Sequence, residues 1–211
     1  FPVFCQTILT DSQGETTQET LEKRIQSLIE ELRVPESSRL KQDMRRPTDV
    51  VIMREISKIG KPAIPYIKEA MAKSSPDSIF YAKCWRILVD LQWPDVFPLL
   101  KEGLKHHSTN TTSIYKLGEL GTPEAIDILF EIIKNCPEPF SAEEEETNPK
   151  EFREKQERHM RAIEAIETLR EVTNKEGISY IIKSIKNPDP KIKSACLRAL
   201  VEKEEKDPSI I

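Results

Sequence analysis

A short aliphatic pattern returns four times along the chain, and this repeat constrains the fold more than any other feature of the sequence. The four copies occupy residues 63–67, 96–100, 125–129 and 177–181. Their first residues lie 33, 29 and 52 residues apart. The last interval equals one repeat of about 30 residues plus an insertion of about 20.

A second series supports the same period. Aliphatic pairs spaced three residues apart recur at intervals of 32, 29, 49 and 31 residues; they are Ile56 and Ile59, Leu88 and Leu91, Leu117 and Leu120, Ile166 and Leu169, and Leu197 and Leu200. This spacing places both members of a pair on one face of a helix. Two independent series with one period predict a repeated pair of helices.

Glycine and proline mark the boundaries inside each pair. Gly60 and Gly121 fall where first helices end, which suits a left-handed C-terminal cap. Pro62, Pro94 and Pro123 fall in the first turn of second helices, where a missing N–H costs nothing. Thr122 before Pro123 predicts an N-cap, and Asn148-Pro149 and Asp189-Pro190 predict the starts of two further first helices. No run has the period of a strand.

One helix pair cannot bury its apolar faces alone, whereas stacked pairs can. We therefore predict an all-α fold, a right-handed α-α superhelix of about five helix pairs. The first helical apolar face begins at Leu21, so residues 1–20 are predicted to be a polar tail or the remnant of a signal segment. Residues 21–206 are predicted to form a single solenoid domain.

The insertion at residues 137–147 contains four consecutive glutamates. Calcium binding needs alternating oxygen ligands and a turn glycine, which this segment lacks. A solvated, mobile loop is the favoured interpretation, and a docking loop is the alternative.

Some expectations concern single residues and the N-terminal segment. Cys84 and Cys196 lie in apolar helical patterns and are expected in the core, as is Trp85, whereas Trp93 is expected to be partly exposed. Residues 1–5 are apolar and end in cysteine, which favours export slightly over a cytoplasmic location. No apolar run is long enough to span a membrane.

The chain resembles HEAT-like repeats, especially the short type named after phycobilisome lyases. Residues 59–67, 117–126 and 189–200 carry the resemblance, which extends over roughly residues 48–206. It implies a HEAT/armadillo-like α-solenoid and leaves function open. Deoxyhypusine hydroxylases of this type carry His-Glu pairs, and this sequence has none.

A search for chemistry finds no catalytic or nucleotide-binding motif and no set of residues with the spacing of metal ligands. Adjacent His106 and His107 are expected to face in different directions at a helix end. His159 lies beside Arg158 on a charged helix and is expected to be solvated. We therefore expect no enzymatic activity, no cofactor and no metal.

The second helices are expected to line a concave surface. Aligning them places Glu69, Glu102, Glu131 and Lys183 in one row and Ala72, Lys105, Lys134 and Lys186 in another. Two interpretations fit: ordinary ion pairs within each helix, or a mixed-charge groove for a protein or peptide. Phe130 and Ile182 align with Lys68 and Lys101, which indicates an apolar patch.

The predicted function is a non-catalytic scaffold that binds an unidentified protein or peptide on this surface. The predicted partner-binding residues are Tyr66, Glu69, Glu102, Lys105, Phe130, Glu131, Lys134 and Lys183. One alternative is an accessory factor of an enzyme, similar to bilin lyases of this repeat type. The other is a nucleic-acid binder, which the net charge of −4 opposes.

Overall fold

The computed structural model describes residues 17–38, 47–92, 95–137, 142–171 and 175–206. Within these ranges the chain forms helices and turns and no strand, which confirms the all-α prediction. The N-terminal segment with Cys5 and most of the predicted tail, as well as Trp93, lie outside the described residues. The first helix begins at Thr17, four residues earlier than the apolar pattern predicts.

The chain divides into two compact units, Phe1–Trp93 and Pro94–Ile211. The first unit contains α1 (Thr17–Arg33), α2 (Asp49–Ile59), a 3₁₀ turn (Lys61–Ala63), α3 (Ile64–Ala72) and α4 (Ile79–Gln92). Helices α1 and α4 each pack against both α2 and α3.

The second unit contains α5 (Phe97–Gly103), α6 (Asn110–Leu120), α7 (Pro123–Lys134), α8 (Ala142–Thr147), α9 (Pro149–Glu171), α10 (Lys175–Ser184) and α11 (Pro190–Lys206). Helix α9 is central, because it packs against α6, α7, α8, α10 and α11. Helix α7 also packs against α6 and α10, and α11 packs against α10. Part of the predicted loop at residues 137–147 is therefore the helix α8, and residues 138–141 lie outside the described ranges.

The helix ends follow the sequence signals. Gly121 adopts a left-handed conformation with φ of 58° and caps α6, and its N–H donates to the carbonyl oxygen of Leu117. The Thr122 side chain accepts a hydrogen bond from the Ala125 N–H at 3.3 Å, as expected of an N-cap. The predictions for Gly121 and Thr122 are confirmed. Gly60 has a positive φ of 79° at the end of α2, but its ψ of −146° lies outside the left-handed helical region, so the predicted left-handed cap is wrong at this position.

The repeated aliphatic residues supply much of the core. Ile56, Leu88, Leu117 and Ile166 are buried, and so, as predicted, are Trp85, Cys84 and Cys196. Leu197 is the exception among the first members of the pairs, since it is 53% exposed on α11. Among the described residues, no helix combines the length and apolar character that a membrane crossing requires.

Helices α6 and α9 approach each other closely at Gly118. A Cβ atom placed on Gly118 would lie 2.1 Å from the Cγ2 methyl carbon of Thr168. Thr168 is buried on α9, so its side chain has little room to move away. The absence of a side chain at Gly118 therefore sets the distance between these two helices.

We expect Gly118→Ala to lower the free energy of unfolding by about 1–3 kcal/mol, because overpacking outweighs the better helix propensity of alanine. Adding Thr168→Ser removes the clashing methyl group and is expected to restore most of the loss. Chemical denaturation of the single and double variants measures both effects. Equal stabilities of the Gly118→Ala protein with and without Thr168→Ser would contradict this account of the contact.

Candidate partner-binding site

The structure places the predicted partner-binding residues on the second helices of both units. Tyr66 and Glu69 lie on α3 in the first unit. In the second unit, Glu102 lies on α5, Lys105 follows that helix, and Lys183 lies on α10. Helix α7 carries the remaining three, which are Phe130, Glu131 and Lys134.

The charged residues form ion pairs with neighbours on their own helix or in the turn after it. Lys105 Nζ lies 2.7 Å from Glu102 Oε2, and Lys134 Nζ lies 3.2 Å from Glu131 Oε1. Glu69 pairs with Lys73 at 2.6 Å. Hydrogen bonds from the lysines lower the pKa of Glu69 and of Glu102. The pairing expected from the i,i+3 spacing is thus present, and each of these charges is locally balanced.

A groove of about 260 Å³ lies between α1 and α3 in the first unit. Ile29 and Ala70 contribute its apolar lining, and Tyr66 and Glu69 are among its polar lining residues. The Tyr66 hydroxyl hydrogen-bonds to the Glu22 carboxylate, and this contact raises the pKa of the phenol. Two predicted site residues therefore border one groove.

Phe130 and Lys183 both contact Tyr180, which was not among the predicted site residues. The rings of Phe130 and Tyr180 stack with centroids 4.3 Å apart, and Lys183 Nζ lies 4.9 Å from the centroid of the Tyr180 ring. The Tyr180 hydroxyl donates to Asp127 Oδ1 at 2.5 Å. Phe130 thus packs against α10 and is half-buried, while Ile182, the other residue of the expected apolar patch, is 49% exposed.

A second cleft, of about 280 Å³, lies between α7 and α9. Its lining consists of Ile128, Glu131, Ile132 and Asn135 from the α7 side and Arg158 and Arg161 from α9. The two arginines were not among the predicted site residues, because that prediction considered second helices and α9 aligns with the first helices of the repeat. The only available signal was their spacing of three residues, which places them on neighbouring positions of one helix face.

His159 corrects the expectation of a solvated histidine. It is 3% exposed, and its Nε2 atom forms a hydrogen bond with Oδ2 of Asp189, which is 2% exposed. Asp189 also caps α11, since Oδ1 accepts from the backbone N–H groups of Lys191 and Ile192 at 2.6 and 3.2 Å. The charged surroundings of His159 in the sequence were misleading, because its own position faces α11 rather than solvent.

Hydrogen bonds determine the pKa of the aspartate in this buried pair. Burial alone would raise the pKa of Asp189, but the hydrogen bonds from His159, Ile192 and Lys191 outweigh burial and lower it. Burial, reinforced by Asp189, raises the pKa of the nearby Cys136 thiol to about 11, so this cysteine is not a thiolate at neutral pH. Among the described residues, no cluster of three His, Cys, Asp or Glu side chains is placed to hold a metal ion.

Comparison with protein-family models, with characterised proteins and with solved structures gives no match for this chain. The geometry of the second helices and of the clefts is therefore the basis for a functional proposal.

Removing one member of the buried pair is expected to destabilise the protein. His159→Leu leaves a buried carboxylate with fewer partners, so we expect a loss of about 3 kcal/mol in the free energy of unfolding at pH 7. The matched control is His107→Leu, because the His107 side chain is 72% exposed; its effect should stay within about 0.5 kcal/mol. Similar losses for the two variants in urea denaturation would contradict the role of the pair.

The lowered pKa of Asp189 also predicts how the free energy of unfolding changes with pH. A carboxyl whose pKa is lower in the folded than in the unfolded chain stabilises the fold above the unfolded value, which is about 3.9 for Asp. This stabilisation disappears as the pH falls through the folded pKa. The difference in stability between wild type and Asp189→Asn should therefore be largest at neutral pH and shrink between about pH 5 and pH 2. A stability difference between the two proteins that grows on acidification would contradict the stabilising role of the ionised Asp189.

Proposed function

We propose that the protein is a non-catalytic binding scaffold in which each unit is a stack of HEAT-like helix pairs. The proposal is supported by the order of packing in the second unit. The first helices α6, α9 and α11 follow one another as neighbours, and so do the second helices α7 and α10. Contacts of each helix pair with the preceding and following pair are what a stack of repeats requires.

The observation that carries the functional proposal is the pattern of exposed charge on the second helices. The pairs Glu102–Lys105 and Glu131–Lys134 have the same spacing, the same polarity along the chain and exposed side chains. Within each pair the two opposite charges balance one another. A protein or peptide with complementary alternating charges would be selected by matching positions rather than by net charge.

Photo-crosslinking tests this proposal position by position. A photoreactive amino acid replaces Lys105 or Lys134, whose side chains are 67% and 62% exposed. The control position is Glu119 on the first helix α6, at 55% exposure in the same unit. In extract from the native cells, we expect one shared protein partner to be crosslinked from Lys105 and Lys134 and not from Glu119.

Charge reversal then tests the role of the ion pairs. The variant Glu102→Lys with Glu131→Lys should reduce crosslinking to the shared partner at least fivefold, whereas Glu119→Lys should leave it unchanged. Circular dichroism confirms that both variants remain folded. Crosslinking from Glu119 alone, or recovery of nucleic acid instead of protein, would contradict the proposed surface.

A further inference from the structure

The cleft between α7 and α9 combines an apolar floor with positive charge. Ile128 and Ile132 lie one turn apart on α7 and are both half-buried. Arg158 and Arg161 lie three residues apart on α9 and line the same cleft, and Asn135 follows the end of α7. At about 280 Å³ the cleft is smaller than most sites for small-molecule cofactors, which begin near ~300 Å³, and its size suits one or two amino-acid side chains.

The arginines retain hydrogen-bonding capacity. The Arg161 Nε–H is buried and meets no acceptor in the described part of the chain. The terminal NH2 nitrogen of Arg161 forms an ion pair with Glu157 Oε2 at 3.7 Å, a distance too long for a hydrogen bond. Arg158 is exposed, and within the described ranges it makes no ion pair. An unsatisfied buried guanidinium N–H favours an acceptor supplied by a ligand.

We propose that this cleft binds a carboxylate-bearing peptide segment in which an acidic residue adjoins an aliphatic one. The carboxylate would accept hydrogen bonds from Arg158 and Arg161, and the aliphatic side chain would lie on Ile128 and Ile132. Guanidinium groups match the planar, two-oxygen geometry of a carboxylate. This inference rests on the proposed function and assigns the chemistry of one segment of the partner.

The remaining charges favour a carboxylate peptide over a nucleic acid. Glu131 also lines the cleft, and the chain as a whole carries a net charge of −4. A phosphodiester backbone needs several cations in succession, and the cleft supplies only two. A single carboxylate flanked by an apolar side chain needs only the two arginines and the aliphatic floor.

The test uses the full chain and two matched probes. One is a hexapeptide blocked at both ends that carries one glutamate followed by one leucine; its twin has glutamine in place of glutamate. Titrations followed by ¹⁵N-resolved NMR report the backbone amides of Ile128 and Ile132 and the Nε–H signals of the arginines. We expect the glutamate peptide to shift these signals and to bind at least tenfold more tightly than the glutamine peptide.

Variants assign the effect to the cleft. Arg158→Gln with Arg161→Gln should weaken binding of the glutamate peptide at least tenfold and leave binding of the glutamine peptide unchanged. Arg153→Gln is the matched control, because Arg153 is exposed on the same helix and does not line the cleft. Ile132→Ser should weaken the binding of both peptides to the same degree. Unchanged amide spectra outside the cleft show that each variant is folded.

Several results would overturn the inference. Equal binding of the two peptides, or an equal loss in Arg153→Gln, would exclude a carboxylate site at the cleft. Shifts of the same signals by inorganic phosphate or a thymidine oligonucleotide, without shifts by the glutamate peptide, would assign the arginines to another anion. The outcome is independent of the crosslinking experiment: peptide binding here without crosslinking from Lys105 would reject the wider second-helix surface and keep this site.

Discussion

Most helices in the described part of the chain have an apolar face that they bury against more than one neighbour, and the rest of the structure depends on this constraint. Helix α9 meets it most fully, because its C-terminal half buries Ala162, Ala165, Ile166 and Leu169 and the helix packs against α6, α7, α10 and α11. Ala162 and Ala165 are small enough for neighbouring backbones to approach closely, as Gly118 is on α6. The N-terminal half of α9, before His159, has no buried residue, because the insertion extends the helix beyond the helices that would cover it.

The same packing leaves two kinds of polar surface, which are ion pairs on or just after single helices and a cleft between α7 and α9. Glu69, Glu102 and Glu131 on the second helices are each paired with a lysine of the same helix or of the residues that follow it. At the cleft between α7 and α9, Ile128 and Ile132 are half-buried and Arg161 has a buried N–H without an acceptor in the described part of the chain. Desolvated groups of this kind contribute more to binding than exposed ion pairs do.

The buried contact between His159 and Asp189 ties two first helices together through polar atoms. Asp189 satisfies the first turn of α11 and the ring of His159 with its two oxygens. A shift of α9 along α11 would leave these groups buried without partners, which costs more free energy than an apolar mismatch. The pair therefore fixes the relative position of α9 and α11 more sharply than the surrounding alanines and isoleucines can.

By itself the sequence determined what depends on neighbours within a few residues. The repeated aliphatic spacing, the left-handed Gly121, the Thr122 cap and the Glu102–Lys105 pair follow from helix geometry, so each is visible in a window of one or two turns. Only the tertiary structure decided which distant residues meet. His159 finds Asp189 30 residues away, Phe130 stacks on Tyr180, and Arg158 and Arg161 face the isoleucines of α7. These contacts depend on how the insertion extends α9 and on how closely the helices approach one another. Neither property can be predicted from local periodicity.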